Sequence, residues 1–254
     1  MARRIEVYLY GRSLQEADRR IIVQEFVDGL PETEIEFGER PGRFGRRLLT
    51  RRRAQKEVRV QFQLRELRDL AERRRILDAA CAWAQDGYLS TSAHPRRRLP
   101  VIVTERPTAQ TARQYTETFE IAFVAAALPY WEDEDETRVT LTDGAGRILN
   151  GGTAPALIGA EITVAEGETL NELEISAGGE TMAFENLGAA GGSVFRLGYD
   201  FSGTQLITLD GASVLSKRTP ESADELYAQP GANAVTVTAD ADVASTIKLR
   251  GCWL

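Results

Sequence analysis

The side chains that could perform acid–base or nucleophilic catalysis are few and lie far apart in the sequence. The single histidine, His94, stands next to Pro95 and a run of arginines, in a segment that we interpret as a connection. A serine, histidine and aspartate group would have to use His94, but no Gly-x-Ser-x-Gly sequence supplies the serine. Because an isolated loop histidine is usually exposed to solvent, we expect no catalytic role for His94.

The sequence predicts no metal site and no cofactor. One histidine and the distant Cys81 and Cys252 do not form a ligand cluster, and we interpret both cysteines as buried, reduced side chains. The glycines do not form a Walker A or Gly-x-Gly-x-x-Gly loop for phosphate. The run of five carboxylates Glu132–Glu136 lacks the glycine and the distant glutamate of a calcium loop, which favours a solvated acidic linker.

The sequence leaves a carbohydrate-directed function open. Paired carboxylates for glycoside hydrolysis come together in space rather than along the chain, so no spacing excludes them. Trp131 and Trp253 are the only tryptophans in the second half, which offers little surface for stacking against sugars. Carbohydrate binding is the better of these two alternatives, because β-sandwiches often host that role.

Arginine runs are the most prominent polar feature of the sequence. Residues 1–113 hold 24 basic and 16 acidic side chains, whereas residues 114–254 hold seven basic and 22 acidic ones. The arginines could contact DNA phosphates, or they could form salt bridges with carboxylates of neighbouring subunits. We favour protein–protein pairing, because the sequence shows no recognition helix and no aromatic stacking platform beside the runs. The runs are Arg46–Arg47, Arg51–Arg53, Arg73–Arg75 and Arg96–Arg98.

Alternation of apolar and polar residues predicts a β-rich first half. The clearest run places Val58, Val60, Phe62 and Leu64 on one face of a strand. Further strands are expected at Ile5–Leu9, Ile22–Phe26, Ile35–Phe37, Leu99–Val103 and Tyr115–Phe123, the last with Tyr115, Phe119, Ile121 and Phe123 on one face. The segment Arg40–Gly45 has the composition of a loop.

One helix interrupts these strands, which makes the first half α+β. Asp69 is the expected N-cap, with Glu72 completing a capping box, and Gly87 is the expected stop. Arg73 and Arg75 are expected away from the apolar face. That face is expected to contain Leu70, Leu77, Ala80, Cys81, Ala84 and Tyr88.

The second half changes character to short strands separated by glycine turns, which is typical of an all-β sandwich. We therefore predict three segments: a domain over 1–131, the acidic linker 132–136 and a β-sandwich domain over 137–254. The longest apolar stretch, around Ile121–Leu128, is far shorter than the ~20 residues that cross a bilayer. The expected strands are Val139–Leu141, Glu161–Val164, Leu173–Ile175, Val194–Leu197, Gln205–Leu209, Ala234–Thr238 and Thr246–Leu249.

The order of these features resembles the distal tail proteins of siphophages over essentially the whole chain. In the first half, the resemblance rests on the Pro41–Gly45 loop, the single helix and the junction Leu128–Trp131. In the second half, it rests on the Asn150–Pro155 segment, the Asp210–Gly211 turn, the Pro230–Val235 turn and the basic-aromatic finish Lys248–Leu254. The runs Arg51–Arg53 and Arg96–Arg98 are denser than that family leads us to expect.

The resemblance implies a non-enzymatic structural protein of the virion tail tip, assembled in the bacterial cytoplasm. An N-terminal belt domain would form a hexameric ring, and a galectin-like sandwich would decorate it. The ring would join the tail tube to the baseplate and central fibre, contact the tape-measure and hub proteins, and let DNA pass without sequence-specific binding or membrane insertion. Subunit contacts are expected at Arg43, Arg46, Arg47, Arg51, Arg52, Arg53, Val58, Val60, Phe62, Tyr115 and Phe119. For these strands, pairing within the domain is the alternative, and for the protein it is a carbohydrate-binding adhesion module.

Overall fold

The computed structural model describes residues 5–39, 46–65, 69–107 and 118–254. The chain divides into two compact units, unit 1 over Met1–Tyr130 and unit 2 over Trp131–Leu254. No helix within the described ranges is long and apolar enough to cross a membrane.

Unit 1 is a β-sheet protein with one long helix, as the sequence predicts. Its sheet has the strand order β2-β1-β7-β8-β9-β6-β3, while β4 and β5 form a separate two-stranded sheet. The elements are β1 (Val7–Leu9), β2 (Arg12–Ser13), α1 (Leu14–Ala17), β3 (Ile21–Asp28), β4 (Thr33–Glu39), β5 (Arg46–Arg53), β6 (Glu57–Leu64), α2 (Leu70–Trp83), β7 (Gly87–Thr91), β8 (His94–Glu105) and β9 (Thr118–Ala125).

The core of unit 1 lies between one face of the main sheet and α2. The side chains of Val58, Val60 and Phe62 alternate with exposed or half-buried neighbours along β6, and each has no accessible surface. The ring of Trp83, in the last turn of α2, lies edge-on to Phe123 of β9 at 6.4 Å between centroids. Helix and sheet therefore share one apolar layer, which is the arrangement that a period-two face requires.

The helix begins where the sequence predicts and ends earlier. The Asp69 side chain accepts a hydrogen bond from the Glu72 backbone N–H at 2.7 Å, which confirms the N-cap. The helix ends at Trp83, so the prediction of Gly87 as its stop was wrong. Arg73 is 6% exposed and its guanidinium lies 5.3 Å from the Phe119 ring, whereas we expected it away from the apolar face. A cation–π contact explains how an arginine is accommodated there.

Two strands differ from the sequence pattern. In β3, which was expected over Ile22–Phe26, the buried residues are Ile21 and Val23, and a register shift follows Val23. A bulge inserts an extra residue and reverses the face of those that follow, which hides the period. Arg46–Arg53, where no strand was predicted, forms a strand that pairs with β4, with a register shift between Glu36 and Phe37.

Unit 2 is built from strands, with a single 3₁₀ turn, Leu215–Lys217, among its described elements. The strands are β10 (Trp131–Asp133), β11 (Thr137–Thr140), β12 (Ala145–Asn150), β13 (Ala156–Val164), β14 (Thr169–Leu170), β15 (Leu173–Ala177), β16 (Glu180–Phe184), β17 (Ala189–Ala190), β18 (Val194–Tyr199), β19 (Gln205–Leu209), β20 (Ala212–Ser213), β21 (Tyr227–Ala228), β22 (Gly231–Ala239), β23 (Val243–Leu249) and β24 (Cys252–Trp253). All seven predicted runs lie in or overlap these strands.

Two antiparallel sheets supply the core of unit 2. One has the order β11-β23-β13-β18-β19-β20 and the other β12-β22-β15-β16. Phe184 of the second sheet and Phe195 of the first contact each other with ring centroids 5.0 Å apart, so the two inner faces meet. Asp143–Gly144 and Asp210–Gly211 both have positive φ angles, as tight hairpin turns require.

The acidic run differs from the solvated linker that we expected. Glu132 and Asp133 belong to β10, which pairs antiparallel with β24. The Trp253 indole N–H donates to the Asp133 carboxylate at 2.8 Å, and the Arg250 guanidinium donates to the Asp133 carbonyl oxygen at 3.2 Å. An indole and a guanidinium near the end of unit 2 therefore hold Asp133 in place, and within the run Glu134 and Asp135 are exposed while the other three are half-buried.

Candidate functional site

His94 lies in a cluster of charged side chains rather than free in a loop. Its Nε2 atom is 3.0 Å from the Asp28 carboxylate, and its side chain is 26% exposed. The other oxygen of Asp28 lies 2.6 Å from the Nζ atom of Lys56, whose side chain is 1% exposed. Among the residues that the structure describes, no group of His, Cys, Asp and Glu has the arrangement of a metal site.

Asp28 and Lys56 lie where the chain leaves and rejoins the main sheet. Asp28 is the last residue of β3, and Lys56 immediately precedes β6, the neighbour of β3. The excursion between them carries the β4–β5 hairpin, which we call the arm. A buried ion pair thus closes the neck of the arm, and in a low-dielectric site each charge depends on the other.

The described part of β4 is exposed on both faces. Ile35 and Phe37 lie two positions apart on β4, hence on the same face, and are 50% and 52% exposed. Leu49 of β5 is 55% exposed and lies against Gly38, where an added Cβ would be 3.0 Å from its Cδ1 atom. Ile35 and Phe37 thus form a small exposed apolar pair on one face of β4.

Opposite charges occupy the two strands of the arm. Glu34 and Glu36 lie on β4, and Arg52 and Arg53 lie on β5. Arg52 forms an ion pair with Glu34 at 2.5 Å, with side chains 74% and 50% exposed. Such an exposed pair contributes roughly 0–1 kcal/mol to folding, so it adds little to the stability of the arm.

The structure separates the predicted contact residues into three groups. Val58, Val60, Phe62 and Phe119 are buried within unit 1, at 0–5% exposure, so their side chains form the core and not a subunit surface. This corresponds to pairing within the domain, the alternative left open above. Arg52 and Arg53 are exposed on the arm. Arg43 and Tyr115 lie outside the described residues, and for Arg46, Arg47 and Arg51 the structure describes the backbone alone.

A surface that sequence reasoning missed lies on β7 and β8 of the main sheet and on the turn that follows β1. The Arg98 guanidinium lies 3.9 Å from the centre of the Tyr88 ring, and Tyr88 meets the Tyr10 ring edge-on at 6.3 Å. We call Tyr10, Tyr88 and Arg98 the aromatic stack. An aromatic platform therefore does accompany one arginine run, contrary to our expectation. The signal was hidden because the three residues are 78 and 10 positions apart in the sequence.

A second charged cluster joins α1, β3 and α2. Asp18 accepts two hydrogen bonds from the Arg20 side chain, at 2.9 and 2.8 Å, and Arg20 also pairs with Glu72 of α2. The bond from Arg20 lowers the pKa of Asp18 from its ordinary 3.8 to about 2. Arg75 reaches the same carboxylate at 3.5 Å. Part of the Arg73–Arg75 run thus stabilises unit 1.

The sequence landmarks of unit 2 have structural roles. Asn150 is 1% exposed; its amide donates to the carbonyl oxygens of Ala154 and Ala228, and its oxygen accepts from the Gly152 N–H. Asn233 makes the equivalent bonds around the Pro230–Gly231 turn, with its oxygen accepting from Gln229 N–H at 2.8 Å. Both asparagines satisfy backbone groups at strand ends, which makes them structural rather than ligand-binding.

Both cysteines have raised thiol pKa values. Burial raises the pKa of Cys252 to about 12, and the nearby carboxylates of Glu132 and Asp133 add to the shift. Burial, reinforced by Asp78, also raises the pKa of Cys81. Neither thiol is therefore prepared for nucleophilic chemistry.

Comparison with solved structures identifies the fold. The chain is similar to the crystal structure of SPP1 Dit, a protein described as part of the hub adsorption apparatus of phages that infect Gram-positive bacteria; the match covers 99% of this chain and 100% of that one, with 15% identity and a TM-score of 0.73. It is also similar to a chain of the phage P2 baseplate in its activated conformation, with 98% of each chain covered, 11% identity and a TM-score of 0.48. No protein-family model and no curated protein matches the chain. The fold is that of SPP1 Dit, which confirms at this level the resemblance to distal tail proteins.

Proposed function

We propose that this chain is a structural distal tail protein of a long-tailed bacteriophage. The observation that carries the proposal is the fold match to SPP1 Dit, which spans both units of the chain. Fold similarity alone does not fix a function, so the proposal also depends on surfaces of the chain that suit assembly. The exposed arm is one such surface.

The proposed mechanism is geometric. Copies of the chain associate head to tail, and such heterologous contacts close into a ring when the rotation between subunits divides a full turn. We infer six copies, in which unit 1 is the belt domain around a channel and unit 2 is the galectin-like domain. DNA passes through that channel without sequence-specific readout.

The ring is an adaptor at the virion tail tip. Its proposed partners are the tail tube protein and the tape-measure protein on one side, and the hub or fibre proteins of the baseplate on the other. Assembly takes place in the bacterial cytoplasm, before the virion is released. The chain performs no bond-making step in this role.

Electron microscopy of the purified full chain, together with its mass in solution, tests the proposal. Six-fold particles with a central hole, and a mass of six subunits, are the expected result. If the chain stays monomeric even at the high local concentration that an assembling virion provides, the ring mechanism is wrong. Turnover of a glycan that is lost on replacing one carboxylate would overturn the structural role.

The carbohydrate-binding alternative gains no support from the tryptophans of unit 2. Trp131 is fully buried, and the indole N–H of Trp253 is engaged by Asp133. Sugar-binding surfaces usually present an open aromatic face beside several polar groups. Glycan affinity of the full chain, measured on an array, is therefore expected to be absent.

A further inference from the structure

We propose that the arm of one subunit docks onto an acidic surface on unit 2 of a second copy of this chain. The inference rests on the proposed ring and names the two surfaces that meet in it. We call the acidic surface the acidic end; it lies on three loops that connect strands of unit 2. Its members are the exposed carboxylates Glu166, Glu168, Glu172, Asp240 and Asp242.

The strand β5 carries more positive charge than the arm itself balances. Five of its eight residues are arginines and none is acidic, whereas β4 holds three glutamates. The Arg73–Arg75 run differs, because Arg75 pairs with Asp18 within unit 1. The arm is therefore a protruding element with positive charge in excess, which suits an anionic partner.

Alternation along the strands separates the two faces of the arm. Ile35 and Phe37 share one face of β4, and Glu34 and Glu36 lie on the opposite face. By register, Arg53 lies two pairs from Ile35 and thus on the same face, where it is exposed. One face of the arm therefore combines an apolar pair with a guanidinium, away from the carboxylates of Glu34 and Glu36.

The acidic end is held together by hydrogen bonds between its loops. The Asp240 carboxylate accepts from the backbone N–H groups of Glu172 and Asn171, both at 3.0 Å. These two donors lower the pKa of Asp240, so its carboxylate stays ionised. The Ala165 N–H donates to the Asp242 carbonyl oxygen at 2.9 Å. The three loops thus present their carboxylates as one preformed surface, which reduces the entropy lost on binding.

The acidic end has no cations of its own. Residues 148–195 and 219–247, which include all three loops, contain no lysine or arginine. The ion pairs described within unit 2 involve Glu136, Glu161 and Asp224 instead. Several like charges on one surface repel each other in the isolated subunit, and a cationic partner removes that repulsion.

Small residues separate these carboxylates. Gly167 stands between Glu166 and Glu168, and an added Cβ at Gly167 would have no atom within 4 Å. The backbone of this loop is therefore open to a partner side chain. That opening admits the apolar pair Ile35 and Phe37 while Arg53 reaches a carboxylate beside it.

The distribution of charge favours a head-to-tail contact. The arm belongs to unit 1 and the acidic end to unit 2, so each copy offers both surfaces. Pairing of two arms or of two acidic ends would bring like charges together, which disfavours a two-fold dimer. Repetition of the remaining contact, arm to acidic end, produces a closed ring when the rotation between copies divides a full turn.

Mass measurements over a concentration series test the energetic claim. Arg53→Glu and Phe37→Ala are each expected to raise the dissociation constant of the subunit contact about tenfold or more at low salt. Added salt is expected to weaken the wild-type contact, because it screens the charges. Arg147→Glu is the matched control: Arg147 is exposed on β12 of unit 2, outside both surfaces, and the change in charge is the same. The far-UV spectrum of each variant checks that the fold is retained.

A double-mutant cycle tests whether the two surfaces meet. Arg52→Ala with Arg53→Ala removes charge from the arm, and Glu166→Ala with Glu168→Ala removes charge from the acidic end. Each pair is expected to raise the dissociation constant, and all four changes together are expected to raise it by less than the product of the two effects. Effects that multiply would show that the surfaces act independently, which would overturn the inference.

Zero-length cross-linking identifies the contact directly. Chains carrying Arg53→Lys, half of them labelled with heavy nitrogen, are treated with a carbodiimide, which joins an amine to a carboxylate. Links from position 53 to the acidic end of a differently labelled chain are expected, and Arg147→Lys is expected to give none. Links to the acidic end of the same chain alone would overturn docking between copies.

The remaining outcomes separate this inference from the proposed ring. Wild-type rings that neither respond to Arg53→Glu nor yield the cross-link would overturn the inference alone. Arg53→Glu chains that assemble normally but lose affinity for a short DNA duplex would assign β5 to nucleic acid and also overturn it. A wild-type chain that forms no oligomer would overturn the proposed ring and the inference with it.

Discussion

Replacing Asp28 by asparagine tests the ion pair that closes the neck of the arm. Lys56 is 1% exposed and its Nζ atom lies 2.6 Å from the Asp28 carboxylate, so the variant leaves an ammonium group buried beside a neutral amide. Removing one partner of a buried ion pair costs about 3–5 kcal/mol. With a urea dependence of about 2 kcal/mol per molar, the midpoint of unfolding should fall by about 1.5–2.5 M.

The loss should be confined to unit 1. Hydrogen exchange in urea, followed on peptides from β3 and β6 and on peptides from β13 and β23, reports the two units separately. Protection of the β3 and β6 peptides should be lost at lower urea in Asp28→Asn, with the unit 2 peptides unchanged. Glu57→Gln is the matched control, since its pair with Arg59 on the same strand β6 is about half exposed and is expected to contribute less than about 1 kcal/mol.

A double variant tests whether the lost stability comes from the unpaired charge of Lys56 or from other contacts of Asp28. When Asp28→Leu is combined with Lys56→Met, no uncompensated charge remains, and most of the lost stability should return. Equal losses for Asp28→Asn and Glu57→Gln would show that the buried pair has no special role. A double variant no more stable than Asp28→Asn would show that packing or His94, rather than the Lys56 charge, sets the cost.

Three further changes have defined outcomes. Gly152→Ala should destabilise unit 2 by about 1–3 kcal/mol in urea unfolding, because the added Cβ would lie only 2.6 Å from the Cys252 backbone N. The control is Gly151→Ala, which has no atom within 4 Å of the added Cβ and should change stability by less than about 0.5 kcal/mol. Equal losses of stability in the two variants would contradict this prediction. The pKa of Asp18 in the folded protein is about 2, below the ordinary 3.8, so its carboxylate stabilises the fold above pH 4 and loses that effect as the pH falls through 2. Asp18→Asn should therefore make the free energy of unfolding depend less on pH between about pH 4 and pH 2. An unaltered profile would assign the acid dependence to other carboxylates. At pH 8, a thiol reagent should modify Cys252 only after unfolding, because its pKa is raised to about 12 and its side chain is 5% exposed. Cys81, which is partly exposed, should react slowly in the folded protein. Prompt modification of Cys252 would show that β24 opens readily.

The elements that bury one face could be predicted, because burial imposes a period on the sequence. The alternation of Val58, Val60 and Phe62 predicted β6, and Asp69 predicted the start of α2. The described side chains of the arm strands are exposed or half-buried, and β5 appears in the sequence as a run of arginines without periodicity. The short helix α1 was missed, although Ser13 and Glu16 form the capping box that the pattern Ser-x-x-Glu indicates.

The candidate surfaces could not be predicted because they depend on contacts between distant residues. Gly87 was interpreted as a helix stop, but its structural role is to make room for the ring of Tyr10, 77 positions earlier. His94 was interpreted as an exposed loop residue, but the ends of β3 and β8 bring it to Asp28. In both cases the local sequence suggests a plausible role for the residue, but contacts with residues distant in the sequence give it a different one.

The antiparallel pairing of Trp131 with Trp253 determines how unit 2 responds to pulling. Tension applied at these two residues acts across the ends of neighbouring strands, so the bridges between β10 and β24 would open one after another. Tension along β13 and β23, which share seven register pairs from Ile158–Leu249 to Val164–Val243, would load all their hydrogen bonds together. Unit 2 is therefore mechanically anisotropic: it is weak when peeled at Trp131 and Trp253 and strong when sheared along its central strands.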